Sequence, residues 1–427
     1  MADVRPFRAL RYSPAVDLAT AICPPYDIIS PHEQDALYDR SPHNAVRLEL
    51  ARGEGDERYA NAARALSGWV REGTLRRDEA PTFYLYRQSF RHEGRTHHRH
   101  ILFARLRLEE WGRGVVLPHE RTFGAPKEDR LRLLRAARLQ TSPVYLLYRD
   151  SQARIRPVLE EAAGRAPFAS FASPDGQQHA LWRIDEPDAN QALADAFRPE
   201  TLYVADGHHR YETALAYRDE RRAAAREWTD DEPENFVLAA LTAAGDPGLL
   251  VLPIHRLINA GGPLSVALER LGQLFDVEVA PSSATLPADL TERGRLAPAF
   301  GLAAAGSPDA YLLSLRDRAA VDRVLPAETS PTWRALDSTI ADYAVIRHAL
   351  GLTEAQTSDI DTLWFSEDAE EALAAVRAAR ARYAVLLNPV PVARILAVAD
   401  AGERMPQKST YFYPKVPTGL VFNPLDE

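Results

Sequence analysis

Apolar and polar positions along the chain switch between alternation, helical spacing and short unbroken apolar runs, which predicts strands alternating with helices. The clearest such unit is Thr201 to Arg218, TLYVADGHHRYETALAYR. Leu202-Tyr203-Val204-Ala205 predicts a buried strand, Asp206-Gly207 breaks it, and Tyr211, Ala214, Leu215 and Tyr217 recur at helical positions. Val115 to Tyr148 repeats the layout. A strand ends at Pro118, a polar loop carries His119, Glu120 and Thr122, and Pro126 opens a helix. Leu131, Leu133, Leu134 and Leu139 form the inner side of that helix, and Val144 to Tyr148 predicts the next strand.

The same reading places a capping box at Ser30 to Glu33, an alternating strand at Asn44 to Leu50, and a helix from about Asp56 to Glu72 that stops at Gly73. Pro81 to Phe90 and Arg99 to Leu108 pair across the turn His92-Glu93-Gly94. Ala180 to Ile184, Phe236 to Ala243 and Leu249 to Ile254 are further strands, the last delivering His255 and Arg256 at its end. Beyond Gly261, helices at Leu264 to Leu274 and Ala335 to Leu350 flank a strand at Ala310 to Leu315, and Glu371 to Arg382 reads as an exposed helix. The expected fold is α/β, an α+β arrangement with a mixed sheet. Four regions are expected: 1–150, 151–260 with the DGHHR stretch, an appended α/β domain over 261–380, and a segment over 381–427 that folds back on the core.

The 427 residues suffice for two or three domains. Net charge is −9, pI is near 5.8 and mean hydropathy is −0.31, which disfavours generic nucleic-acid binding. No apolar run is long enough to span a bilayer, and the first residues lack the pattern of a secretion signal. Cys23 is the sole cysteine, so no intrachain disulfide or cysteine-based metal cluster forms. The expectation is a cytoplasmic protein with no membrane partner.

Between the strand and helix of the DGHHR stretch stand Asp206, His208, His209 and Arg210 around Gly207. A helix start directs unpaired N–H groups and a partial positive charge at such a turn, which suits an anion. The plain alternative is a capped turn with solvated histidines. In the second stretch Lys127 and Arg130 suit phosphate, while Glu120 or Asp129 suits a base or a metal; the alternative for Asp129 and Arg130 is a salt-bridged helix end. Tyr26-Asp27, after two prolines, either forms a site wall or fixes a bend.

No HExxH, GxSxG, CxxC or strand-following GxGxxG is present. His208 and His209 diverge by about 100° on a helix and do not share a metal. Gly402 with Lys408-Ser409 imitates a P-loop, but Gln407 stands in place of the second glycine, Pro406 lacks an amide donor, and aromatic strand-like sequence follows. Lys408, Ser409, Thr410 and Lys415 remain available to a shared site. Cations beside acidic groups at helix starts are what phosphoryl transfer needs.

Seven stretches, CPPYDIIS (23–30), NAVRLEL (44–50), LPHERTF (117–123), PKEDRL (126–131), ADGHHRYETAL (205–215), PIHRL (253–257) and MPQKSTYFYPK (405–415), resemble the bacterial and archaeal domain-of-unknown-function family 1015, which implies no established activity. Asp206 to Glu212 is similar to the nucleotide-contacting helix start of the ParB/sulfiredoxin superfamily, which includes partition CTP switches, sulfiredoxin and a free-serine kinase. Sulfiredoxin chemistry needs a cysteine that Asp206 to Arg210 lacks, and no helix-turn-helix of the partition type is located, so the kinase branch fits best. The resemblance implies a ParB/sulfiredoxin-like core and a nucleotide-dependent phosphotransferase on a small hydroxylated metabolite such as L-serine.

On that reading Asp206, Glu120 and His119 are catalytic. Gly207, His208, His209, Arg210, Lys127, Arg130, Lys408, Ser409 and Thr410 bind phosphate or nucleotide. Asp206, Glu120 and Asp129 hold Mg²⁺, and ATP or ADP is the donor. A phosphatase on a metabolite such as phosphoserine and a nucleotide sensor without turnover are the alternatives. The oligomeric state, a homodimer among the options, is not fixed by the sequence.

Overall fold

Short apolar runs without polar interruption become the middle of a mixed sheet. A computed structural model of the chain describes residues 1–120 and 125–426. The described residues divide into two compact units, one formed by residues 1–118, 125–249 and 414–426, the other by 119–120 and 250–413.

The first unit carries strands β1 (Val4–Arg5), β2 (Phe83–His92), β3 (Arg95–Arg107), β4 (Val116–Pro118), β5 (Val144–Tyr148), β6 (Ala169–Ala172), β7 (Gln178–Ile184), β8 (Leu202–Asp206) and β9 (Phe236–Ala243). They lie in the order β4-β8-β5-β9-β3-β2-β7-β6, with β1 added against β3. β8 runs parallel to β4 and β9 parallel to β5, while the other pairs are antiparallel. Strands deep in such a sheet are covered on both faces, which is why VYLLY and FVLAALTA do not alternate. Phe236, Leu238 and Leu241 are fully buried, each contributing about 1.5–3 kcal/mol. The register between β8 and β5 shifts between Val204 and Asp206, which faces Tyr145. Such an irregularity re-aims the side chains at a strand end. Helices α1 (Ala125–Ala137) and α2 (His208–Ala224) pack together beside this sheet through Leu131, Leu134 and Tyr217.

The carboxyl-terminal segment threads the first unit. Thr418 bridges to Cys23 and Phe422 to Leu10, Asn423–Pro424 pairs with Leu139–Gln140, and Leu425 N–H donates to the Arg138 carbonyl at 2.8 Å.

The second unit holds a fully antiparallel sheet in the order Phe275–Val279, Ala310–Leu315, Ala299–Ala304, Tyr383–Leu386, His255–Ile258 and Leu363–Ser366. Phe275, Phe300, Leu313, Ile346 and Val385 fill one of its cores.

Four expectations about local structure change. Asn44 to Leu50 is not a strand but contains the short helix Val46–Glu49. Asn44 is buried with its amide on the Thr20 and Ile22 carbonyls and its oxygen on the Val46 N–H, so local capping wins over the alternating pattern. Leu249 to Ile254 yields the strand Leu250–Leu252, and His255 and Arg256 open the next strand as buried residues. Ala335 to Leu350 resolves into the helix Asp337–Ile340 followed by a π-helical stretch, Ala341–Ala349. The helix near Glu371 spans Ala369–Arg377 and buries Ala372, Leu373, Ala375 and Val376.

Candidate functional site

Gly207 decides the local geometry of the DGHHR stretch. Its φ of 86° is left-handed, which glycine adopts without a Cβ penalty, and it turns β8 directly into α2 with His208 as the first helical residue. A Cβ there would lie 2.8 Å from Arg210 Nε, so the guanidinium folds back into the space that glycine leaves. The seventeen-residue helix has no acidic residue in its first turn, and His208 and His209 are half-buried there. Its N–H groups and dipole therefore face the turn without a side-chain anion of their own.

Asp206 is bound on both oxygens. Lys415 Nζ donates to Oδ1 at 2.9 Å, and Arg210 Nη2 donates to Oδ2 at 2.6 Å. The three side chains are 18%, 12% and 10% exposed, respectively Asp206, Lys415 and Arg210. Burial alone would raise the Asp206 pKa, but the Lys415 and Arg210 charges and the Lys415 hydrogen bond hold it far below the ordinary carboxylate value. Arg210 also donates to the Pro143 carbonyl. Asp206 is thus met by two cations at a helix start, an arrangement that can receive an anion, and Asp27 and Glu49 also act on Arg210 from nearby.

The α1 residues divide. Lys127 Nζ lies 4.0 Å from Glu212 Oε2, which brings it to the second turn of α2. Asp129 accepts from Tyr59 at 2.8 Å, pairs with Arg58 at 2.8 Å and is gripped by Arg130 Nε at 2.8 Å. Arg130 spends a further donor on the Glu49 carbonyl at 2.8 Å and lies over the Tyr26 ring at 4.3 Å. This is the salt-bridged helix end, with the charge pair used internally. Burial pushes the Tyr26 phenol up to about 12 against the opposing charge of Arg210. The proline-flanked bend therefore borders Arg130 and Arg210. Glu49 accepts from Ser142 at 2.6 Å, and Ser142 is bonded to Thr418 at 2.6 Å. A cavity of about 50 Å³ lies among Glu49, Arg130, Ser142, Arg210 and Thr213. Glu49 Oε2 and Thr213 Oγ1, both buried, have no protein partner there. The volume suits a few ordered waters.

In the second unit His119, Glu120, Lys408 and Thr410 come together. His119 Nε2 is hydrogen-bonded to Thr410 Oγ1 at 2.9 Å and stands 3.8 Å from Glu120 Oε2, with the Phe412 ring edge-on to the imidazole. Lys408 N–H donates to Glu120 Oε1 at 2.8 Å from a left-handed backbone, φ 54°, and buried Arg256 donates to the Lys408 carbonyl at 3.1 Å. Ser409 is turned inward: its hydroxyl donates to the Pro406 carbonyl at 2.6 Å and sits 3.1 Å from Ser338 Oγ. His255 is a core residue whose Nδ1 accepts from Leu387 N–H at 3.1 Å, and burial lowers its pKa to about 4. Thr122 lies outside the described residues.

The magnesium role expected of Asp206 and Asp129 does not fit these bonds, because cations already occupy their oxygens. Among the described residues no group of three or more His, Cys, Asp or Glu side chains is arranged to hold a metal ion. No helix among them is long and apolar enough to cross a membrane. The residues that sequence reasoning missed are Gln88, Arg99, Ser142 and Thr418, and it gave Lys415 no assigned role. One signal could have singled out Lys415: the chain contains only three lysines, Lys127, Lys408 and Lys415, among 51 basic residues.

Residues 4–339 match a family described as a protein of unknown function, DUF1015. No curated protein matches the chain. Among solved structures it is similar to a conserved hypothetical protein from Pyrococcus furiosus, at 13% identity over 72% of this chain and 91% of that one, with a TM-score of 0.34. A free serine kinase in complex with AMP is similar at 13% identity, with 72% and 89% covered and a TM-score of 0.34. SbnI with a C-terminal truncation, from Staphylococcus aureus, is similar at 12% identity, with 73% and 84% covered and a TM-score of 0.33.

Proposed function

For a chain that belongs to the DUF1015 family of proteins of unknown function, we propose a phosphotransferase that takes a phosphoryl group from ATP or ADP to a small hydroxylated metabolite. One observation carries the reading: Arg210 and Lys415 are held on a single carboxylate at the start of α2, beside a left-handed glycine. A phosphate entering this turn meets helix N–H groups and two cations that are already placed, so little ordering remains to be done on binding. Lys127, at Glu212, adds charge one turn further along.

The transfer forms a bond from the acceptor hydroxyl oxygen to the terminal phosphorus, breaks the bridging P–O bond and releases the shortened nucleotide. A base takes the hydroxyl proton. Asp206 is unsuited to that task, because a carboxylate held so far below its ordinary pKa has little proton affinity at neutral pH. Its role is to fix Arg210 and Lys415. As base we propose Glu120, a carboxylate 19% exposed and bonded at Oε1 to the Lys408 amide, with His119 beside it. L-Serine is the first acceptor to assay, since the DGHHR stretch resembles a superfamily that includes a free-serine kinase.

The test is calorimetric titration with ATP, ADP, serine and phosphoserine, with and without Mg²⁺, followed by nucleotide turnover with hydroxylated acceptors. Binding with turnover is expected. Phosphate release from phosphoserine without nucleotide would favour the phosphatase, and tight nucleotide binding without any turnover would favour the sensor. Failure to bind any phosphate compound would overturn all three.

A further inference from the structure

Lys415 comes to Asp206 from 209 residues away, and its backbone is gripped from the sheet. Gln88 on β2 and Arg99 on β3 are direct cross-strand partners, both fully buried. Arg99 Nη2 donates to Gln88 Oε1 at 2.5 Å and to the Pro414 carbonyl at 2.6 Å. Gln88 Nε2 donates to the Lys415 carbonyl at 3.3 Å and to Gln177 Oε1 at 2.7 Å. The peptide groups on both sides of the Lys415 Cα are thus tied to the sheet interior. Arg99 Nη1 reaches the Tyr145 hydroxyl at 3.5 Å, on the strand that pairs with β8 at Asp206. The Arg99 guanidinium is fully buried and is shared among a side-chain amide, a phenol and the Pro414 carbonyl. What it secures is the place from which the Lys415 side chain departs.

The scarcity of lysine adds a separate argument. A chain that uses arginine for nearly all of its 51 basic residues retains lysine at 415. An ammonium is a compact charge with three rotatable donors and exchanges one anion for another without a planar fork to satisfy, whereas the Arg210 guanidinium is divided between Asp206 through Nη2 and the Pro143 carbonyl through Nη1.

We propose that Arg99 and Gln88 are positioning residues that set the Lys415 ammonium for the incoming phosphate, and that a guanidinium cannot replace the amine at 415. The proposal rests on the phosphate-binding reading of the Asp206–Gly207 turn. Its test uses the full chain carrying labelled lysine, whose three side-chain signals are assigned with Lys415→Arg. Addition of ATP shifts the Lys415 signal. Arg99→Met weakens ATP binding about tenfold, Lys415→Arg weakens it at least as much, and the double variant binds no more weakly than Lys415→Arg alone. Folding is checked by circular dichroism and melting, and Gln88→Leu carries the test should Arg99→Met not fold.

Wild-type affinity in folded Arg99→Met or Gln88→Leu overturns the positioning role, as do additive losses in the double variant. Wild-type affinity in Lys415→Arg overturns the requirement for an amine. If the wild-type protein binds neither ATP nor pyrophosphate, the phosphate reading fails by itself. The positioning role is then read from the lysine spectrum alone: Arg99→Met or Gln88→Leu moves the Lys415 amine toward the free-lysine shift and faster proton exchange, and an unmoved signal overturns it.

Discussion

Asp206 closes β8 and Glu120 lies just beyond β4, yet the neighbours of the two carboxylates differ sharply. Asp206 is saturated by Lys415 and Arg210, and those cations hold its pKa down against burial. Glu120 has one oxygen on the Lys408 amide and the other 3.8 Å from His119. The Asp206 carboxylate holds two cations in place and does not readily accept a proton, whereas Glu120 meets a backbone amide and an imidazole. Residue type alone therefore does not fix what a carboxylate does; the neighbours of each oxygen decide it.

The comparison is broken most directly at Glu120. Glu120→Gln is expected to lower kcat by about 10²–10⁴-fold while nucleotide affinity stays near wild type, measured by turnover and calorimetry. Equal loss of both would remove the base assignment. Asp206→Asn comes next. It leaves Arg210 and Lys415 without their counter-charge, with an expected loss of about 3 kcal/mol in denaturant unfolding at pH 7 together with loss of nucleotide affinity. This difference has a defined pH dependence. The folded pKa of Asp206 is depressed, so its contribution is fully present above the ordinary value of 3.8 and fades as pH falls below it toward the folded value. The stabilities of wild type and Asp206→Asn should converge on acidification and not on raising the pH above neutrality.

Gly207→Ala is a smaller perturbation. A left-handed backbone costs a Cβ-bearing residue about 1–2 kcal/mol, and the new methyl displaces the Arg210 guanidinium. Lower thermal stability and weaker nucleotide binding are expected together, and unchanged affinity would detach the turn from the phosphate. Lys127→Ala should change stability least, by under about 0.5 kcal/mol, because its contact with Glu212 is long and partly exposed. A drop in affinity of more than about tenfold would give Lys127 a direct phosphate contact instead of a supporting charge.

Much of the fold was legible where burial alone set the pattern. FVLAALTA and AYLLSL became strands over the predicted residues, and Gly207 and the Ser30 capping box marked helix starts correctly. The reading failed where a side chain competes locally with the pattern, as Asn44 does by capping Val46–Glu49. The strand-to-helix turn at residues 206–210 was legible because one short stretch holds all of it. Arg99 and Gln88 were not, because each reads as one polar position on an alternating strand, and their meaning arises only when residues 414 and 415 arrive from across the chain. Asp129 and Ser409 show the converse: both have the right chemistry, but their bonds turn them toward internal partners.

The closing of the carboxyl-terminal segment over the first unit also bears on biosynthesis. The partner of Asp206 is made 209 residues after it, so a nascent chain halted before position 415 has the aspartate and arginine without the amine. Assembly of the turn is therefore a late event that waits for a distant contact, and proteolytic trimming of the last thirteen residues, which begin at Lys415, would take the amine from Asp206 although every strand of the central sheet lies upstream of the cut.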